Sequence, residues 1–294
     1  MAAQSSETAE VAPFAAHALL LDIVKTGDQL FAVGEHGDVM VSRDDGRTWT
    51  QIIVPARTLL TAIAFPDPTH GWIVGHDGVI LASDDRGVTW TRRDSGRDLE
   101  TVFLDVFFPN VTRGFAVGAY GKFLATEDAG KTWEARKPSD DEVHYNGIAA
   151  NAGGRLFLTG ESGTLLTSTD GGVKWRRCDV PYDGSLFGAL PVGKEAILVY
   201  GLRGHILRSA DEGATWEPKN SEIRVLINSG LRLKNGTIVL GGQGGNFFIS
   251  RDAGENFMAW KPEAFNTSIA AMVEANDGTI VTVGEAGAVR IKLP

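Results

Sequence analysis

Ser42-Arg43-Asp44-Asp45-Gly46-Arg47-Thr48-Trp49 decides the fold of this chain, because the same pattern returns five more times. Copies of Ser-x-Asp-x-Gly-x-Thr-Trp, or close variants, begin at Ser42, Ser83, Thr126, Ser168, Ser209 and Ser250. Their closing aromatics are Trp49, Trp90, Trp133, Trp175, Trp216 and Phe257, separated by 41, 43, 42, 41 and 41 residues. A second motif, an apolar run followed by Gly-x-x-Gly and another apolar run, keeps the same interval. It occurs seven times, at Gly34/Gly37, Gly75/Gly78, Gly118/Gly121, Gly160/Gly163, Gly201/Gly204, Gly242/Gly245 and Gly284/Gly287. Self-similarity at about 40 to 50 residues per unit belongs to propellers, solenoids and arrays.

Residues 59–95 show what one unit contains. Leu60–Phe65 is a β-capable apolar run ended by Pro66-Asp67-Pro68-Thr69-His70-Gly71. Trp72-Ile73-Val74 and Val79-Ile80-Leu81-Ala82 are two more runs, separated by Gly75-His76-Asp77-Gly78. Thr89-Trp90-Thr91-Arg92-Arg93 alternates like a strand with one wet face. No segment has a helical period, and the short loops suit antiparallel neighbours. Four such strands make one blade of a β-propeller. The chain therefore predicts an all-β, seven-bladed β-propeller of four-stranded antiparallel blades, one domain over residues 1–294.

Only six units carry the box. The last has strands near Ser268–Ala275, Thr279–Val283 and Ala288–Leu293, and no fourth. Setting Val11-Ala12-Pro13 against Ile53-Val54-Pro55 places residues 8–13 as the outer strand of that last blade, closing the ring so that no sheet edge stays open. Residues 1–7 are expected to be disordered.

The box chemistry is local. A short Asp side chain accepts hydrogen bonds from nearby backbone N–H groups and holds a tight turn. The Gly two residues on permits φ > 0, and the Trp turns its ring inward. Asp44, Asp85, Asp128, Asp170, Asp211 and Asp252, with Trp49, Trp90, Trp133, Trp175 and Trp216, thus read as structural staples. A catalyst needs one site, whereas this feature is spread around a ring. Gly-x-x-Gly would suggest phosphate binding only between a strand and a helix; here it joins two strands and reads as a hairpin turn.

The box resembles the Asp-box, or bacterial neuraminidase repeat. Combined with Phe31-Ala32-Val33-Gly34, Trp72-Ile73-Val74-Gly75 and Phe115-Ala116-Val117-Gly118, it is similar to the photosystem II stability and assembly factor-like family across essentially the whole chain. The resemblance implies a seven-bladed propeller with a non-enzymatic role in assembling or stabilising a membrane-associated complex. Some bacterial relatives are thought of as accessories of membrane transport systems. Two boxes depart from the pattern, with Val173-Lys174 before Trp175 and Asn256-Phe257 in place of Thr-Trp.

Bulk numbers narrow the function. Apolar content of 43% and charged content of 22% suit a globular protein, and a net charge of -9 argues against a nucleic-acid partner. With Cys178 alone, no intrachain disulfide forms, which fits a reducing compartment or a periplasmic protein without disulfides. No run reaches the ~18 apolar residues of a membrane span. The polar start MAAQSSETAEVA has no signal-peptide core and reads as a mature periplasmic or exported domain whose signal peptide is gone; a cytoplasmic protein is the alternative.

Propellers usually bind on the face bearing the turns between second and third strands and the inter-blade loops, opposite the boxes. On that face Arg57, Arg97, Arg203 and Arg224 form a candidate positive patch for an acidic protein segment, since arginine's rigid fork suits carboxylates. His36, His76, Tyr120, His144, Glu161, Gln243 and Glu285 complete the candidate partner-binding surface. His36, His76 and His144 would ligate a metal only if the blades brought them together, and no tight His or Cys spacing supports it, so no metal and no cofactor are expected. The leading reading is a monomeric, non-enzymatic scaffold for a membrane-complex subunit or transporter. One alternative is a sialidase-like glycoside hydrolase, which needs an arginine triad and a Tyr–Glu pair from a chain with only four tyrosines and no Arg-Ile-Pro signature. The other is a propeller that binds a small ligand or glycan in the channel mouth.

Overall fold

The computed structural model describes residues 8–93 and 99–294. Seven antiparallel sheets follow one another along the chain, six of four strands and the last of three. Blade 1 runs Leu20–Thr26, Gln29–Gly34, Val39–Ser42 and Thr50–Ile52, each strand pairing with the next. Blade 2 repeats this with Leu60–Ala64, Gly71–Gly75, Ile80–Ser83 and Thr91–Arg93. The described residues contain no α-helix, only short 3-10 turns.

The second strand of each blade is where the apolar runs fall, and it is buried on both faces. Gly71–Gly75, Gly114–Gly118, Leu156–Gly160, Ile197–Gly201, Ile238–Gly242 and Ile280–Gly284 are buried along their whole length. A mid-blade strand has a neighbouring blade on either side, so its side chains alternate between two cores rather than between core and water. Phe31 and Val33 pack toward blade 2, while Leu30 and Ala32 pack toward blade 7. Seven apolar clusters result, one in each seam of the ring, including the seam between blades 7 and 1.

Ring closure differs from the sequence expectation. Residues 8–13 do not form the outer strand of blade 7, which has three strands among the described residues, ending with Val289–Ile291. They lie instead against blade 1. Ala9 N donates to Val54 O at 3.0 Å, and Gln51 binds the segment through Ala12 N at 2.8 Å and Glu10 O at 2.9 Å. Glu10 also pairs with Arg57 at 2.8 Å. The match to Ile53-Val54-Pro55 does not carry over: Val54 is buried, whereas Val11 is 77% exposed, and the segment's buried side chain, Ala9, packs into the blade 1–blade 2 cluster rather than against blade 7. The expectation for residues 1–7 lies outside the described residues.

Closure comes from the inner strand of blade 1 and the 3-10 turn Ala15–His17 before it. Ala15 is buried in the blade 7–blade 1 cluster, and Ala288 N donates to Ala16 O at 2.9 Å. On the box face a polar clasp joins the same blades. Lys25 donates to Glu274 O and Asn276 Oδ1, and Asp277 accepts from Arg47 at 3.0 Å and Arg290 at 2.6 Å.

Candidate functional site

Each box closes on itself. In blade 2, Ser83 Oγ donates to Asp85 Oδ1 at 2.8 Å and accepts from Gly87 N at 2.9 Å. Asp85 further accepts from Thr89 N at 2.9 Å and Thr89 Oγ1 at 2.6 Å. The divergent sixth box substitutes Asn256, whose Nδ2 donates to Asp252 Oδ2 at 2.8 Å, while the fourth keeps only backbone donors, Val173 N and Lys174 N, besides Ser168. These bonds favour the ionised carboxylate. Thr48, Thr132, Thr215 and Asn256, with the box Ser or Thr, hold Asp44, Asp128, Asp211 and Asp252 down to about 2. A carboxylate so occupied has little left for a substrate.

The opposite face is built by the Gly-x-x-Gly turns and the inter-blade loops, which meet across each seam. Gly78 N donates to Thr101 O, Gly121 N to Val143 O and Gly163 N to Gly184 O, at 2.8, 2.7 and 2.9 Å. At Gly37 a Cβ would stand 2.1 Å from Ala56 O, so the second glycine is required by the approach of the next loop. The residue before it sits in the left-handed region at His36, Asp77, Tyr120, Ser162 and Arg203 (φ 52 to 57°), which pushes those side chains outward. The box turns show the same conformation at Asp45, Arg86, Ala129, Glu212 and Ala253, so this strain belongs to the repeat and does not mark one face as functional.

The candidate residues on this face fall into three groups. Glu161 and Glu285 accept from the backbone N–H groups of His144 (3.2 Å) and Ser268 (2.9 Å), and Glu35 does the same for Leu19 (3.1 Å), which ties each turn to its own inner strand. Tyr120 packs edge-on to His144, centroids 4.7 Å apart, and His144 faces Glu161 at 3.7 Å. Arg203 and Arg224 share one groove of about 710 Å³ in blades 5 and 6, lined also by His205, Lys219, Ser221 and Glu222. Among the described residues neither Arg203 nor Arg224 forms an ion pair, whereas Arg57 is engaged by Glu10. Leu202 and Ile223 bring exposed apolar surface beside the groove. Arg97 lies outside the described residues. His36, His76 and Gln243 occupy their turns without joining the groove, and no three His, Cys, Asp or Glu among the described residues converge to hold a metal ion.

Two features escaped the sequence reading. One is His205, which sits directly after the second glycine of its turn, where other blades have Asp38, Lys122 or Asn246. The other is the lining of the central channel. Every inner strand carries a bulge, and the extra residues Leu21, Thr61, Leu104, Asn146, Phe187, Asn228 and Ala270 all line a cavity of about 270 Å³ on the ring axis. Their polar members staple the seams: Thr61 Oγ1 to Phe103 O at 2.8 Å, Asn146 Nδ2 to Leu186 O at 2.9 Å, Asn228 Nδ2 to Ile269 O at 3.2 Å. Asp22 and Asp105 do the same work as acceptors. Each takes its own next N–H (Ile23, Val106) and one from the neighbouring blade (Ile63, Ile148), all at 2.8 Å. Part of each carboxylate faces the channel, yet protein surrounds it on every side, and this loss of bulk water pushes both up to about 7 against those bonds. The visible signal was Leu-Asp-Ile and Leu-Asp-Val within otherwise apolar strands.

The family described as Photosynthesis system II assembly factor YCF48 matches this chain over residues 47–101 and 96–293. A curated relative, the Photosystem II assembly lipoprotein Ycf48 of Synechococcus sp. (strain CC9902), is 26% identical over 216 residues, covering 72% of this chain and 52% of the relative. The chain thus spans about half the length of that relative. Among solved structures, YCF48 bound to D1 peptide superposes with a TM-score of 0.76 at 19% identity, covering 95% of this chain and 94% of the other. YCF48 from Cyanidioschyzon merolae superposes with a TM-score of 0.72 at 16% identity, covering 92% and 94%. At those identities the two structures show the shared fold.

Proposed function

This chain belongs to the photosynthesis system II assembly factor YCF48 family, and on that premise we propose that it is a non-catalytic, protein-binding assembly factor. Its working surface is the face opposite the boxes, centred on the Arg203–Arg224 groove, and its partner is an acidic segment of a membrane-complex subunit or transporter. One observation carries this reading: two guanidinium groups that form no ion pair among the described residues share a groove beside exposed Leu202 and Ile223, on a protein of net charge -9. Arginine with adjoining apolar surface is the composition of binding hot spots. That a relative of the same fold binds a D1 peptide supports a peptide-like ligand here. Arg57 contributes less, its charge being offset by Glu10. A relative named as a lipoprotein supports an exported protein working at a membrane surface, and no helix among the described residues is long and apolar enough to cross a membrane.

The glycosidase alternative finds little support. Tyr145 is fully buried in the seam between blades 3 and 4, Tyr200 is buried in the seam between blades 5 and 6, and Tyr120 stands 75% exposed on a turn tip. Tyr182 stacks on His205 with its hydroxyl on Leu202 O, and Tyr200 lines the central cavity beside Asp105, yet among the described residues no tyrosine hydroxyl hydrogen-bonds a carboxylate. The test is a photo-crosslinker at position 202 in the native envelope, followed by mass spectrometry. The expected product is a conjugate with an acidic segment of one membrane-complex subunit, lost in R203E/R224E. A conjugate pattern unchanged by the charge reversal contradicts the proposal.

A further inference from the structure

The Arg203–Arg224 groove contains a titratable ring that the arginines do not explain. The His205 imidazole lies on the Tyr182 ring, centroids 4.1 Å apart and planes 28° apart. Tyr182 is itself fixed, its hydroxyl donating to Leu202 O at 3.1 Å, and His205 N donates to the same carbonyl at 3.3 Å. The stack therefore sits on the turn that carries Arg203. Besides the arginines, Asp183 from the Tyr182 loop acts on the ring, and Lys219 and Glu222 line the same groove, the Lys219 ammonium being held by Glu255 and Glu217 at 2.8 and 3.2 Å. Partial burial holds the imidazole below its ordinary value, the Arg224 and Arg203 charges add to this, and Asp183 offsets part of it. With the groove free, the ring is neutral at neutral pH.

An incoming carboxylate reverses that balance. It cancels the field of the two guanidinium groups and offers an acceptor to a ring N–H. We propose that His205 is a recognition group of this groove, which binds a carboxylate of the docked segment as imidazolium and takes up one proton from solvent as the segment docks. The proposal rests on the reading of the groove as an acidic-segment site. The proton balance is simple: one proton enters per groove filled and returns to solvent on release. Because the bound form has the higher pKa, association consumes protons between the free and bound values and tightens as pH falls through that window.

Calorimetric titration with an amidated peptide of alternating Asp and Ala tests this at pH 8 and pH 6, in buffers of different ionisation enthalpy. Wild type is expected to bind about threefold to tenfold more tightly at pH 6, with proton uptake visible as a buffer-dependent enthalpy. H205Q and H205F, the second of which keeps a ring on Tyr182, are expected to give flat profiles without uptake. If both variants keep the wild-type pH slope while R203E/R224E abolishes binding, the role of His205 is overturned and the groove stands. If binding is absent, or indifferent to R203E/R224E, the groove reading falls and this inference with it.

Discussion

Asp128 and Asp105 show how differently one residue type behaves in this ring. Asp128 lies at the surface with Thr126 and Thr132 donating to it, and it stays ionised down to about pH 2. Asp105 stands at the channel wall and keeps its proton up to about 7. The two kinds give stability opposite slopes. Box aspartates are depressed below the unfolded value, so their contribution is present above about pH 4 and is lost as pH falls toward about 2. Channel aspartates are raised, so between about pH 4 and 7 the folded ring holds protons that the unfolded chain has released, and stability falls as pH rises through that range. Melting temperatures across pH 4 to 8 are expected to decline in wild type and to flatten in D22N/D105N, with the acid limb unchanged. An equal decline in the double variant would show that these carboxylates do not titrate as described.

At the same scale, Trp90 is 6% exposed and its Nε1 donates to Gly87 O at 3.1 Å, so W90A is expected to destabilise by about 3–5 kcal/mol in chemical denaturation. A loss below about 1 kcal/mol would mean the box ring is a surface ornament. The role of such residues was legible in the sequence because repetition at one interval is hard to reconcile with a single active site. His205 and the channel aspartates were not, since each depends on a neighbour supplied by another blade.

At the scale of the strand, burial on both faces explains why the second strands read as unbroken apolar runs and why periodicity located them so well. The inner strands were harder. Their bulges re-aim one residue per blade into the channel, and the result depends on the packing of the seam rather than on local pattern. The seam between blades 5 and 6 illustrates this. Tyr200 comes from the second strand of blade 5 and fits between Gly188 and Gly230, where an added Cβ would stand 2.4 Å from its hydroxyl and 2.7 Å from its ring. The ring is 6% exposed and cannot swing away. G188A is expected to destabilise by about 1–3 kcal/mol, with part of that recovered in the background Y200F, in which the hydroxyl is gone. Additive losses in the double variant would mean that the contact is not what excludes a side chain at 188.

At the scale of the molecule, seven seams of like construction make a closed ring. Closure falls to the inner strand of blade 1, the Ala16–Ala288 bond and the clasp of Lys25, Arg47 and Arg290 around Asn276 and Asp277. The blade count was readable from the glycine pairs, while the closing device was misread, because the terminal segment resembles an outer strand in spacing but makes its contacts with Gln51, Val54 and Arg57 beside blade 1. Such a ring leaves one face to the boxes and the other to the recognition role proposed above. The two jobs are separable, and the most direct measurement separates them. Position-202 crosslinking to the proposed partner and thermal melting are recorded together for wild type, R203E/R224E and the box variant D211A. The expected result is loss of the crosslink at an unchanged melting temperature in R203E/R224E, and a lowered melting temperature with the crosslink retained in the folded D211A protein. A crosslink that survives charge reversal but vanishes from folded D211A would place recognition on the box face and contradict the account.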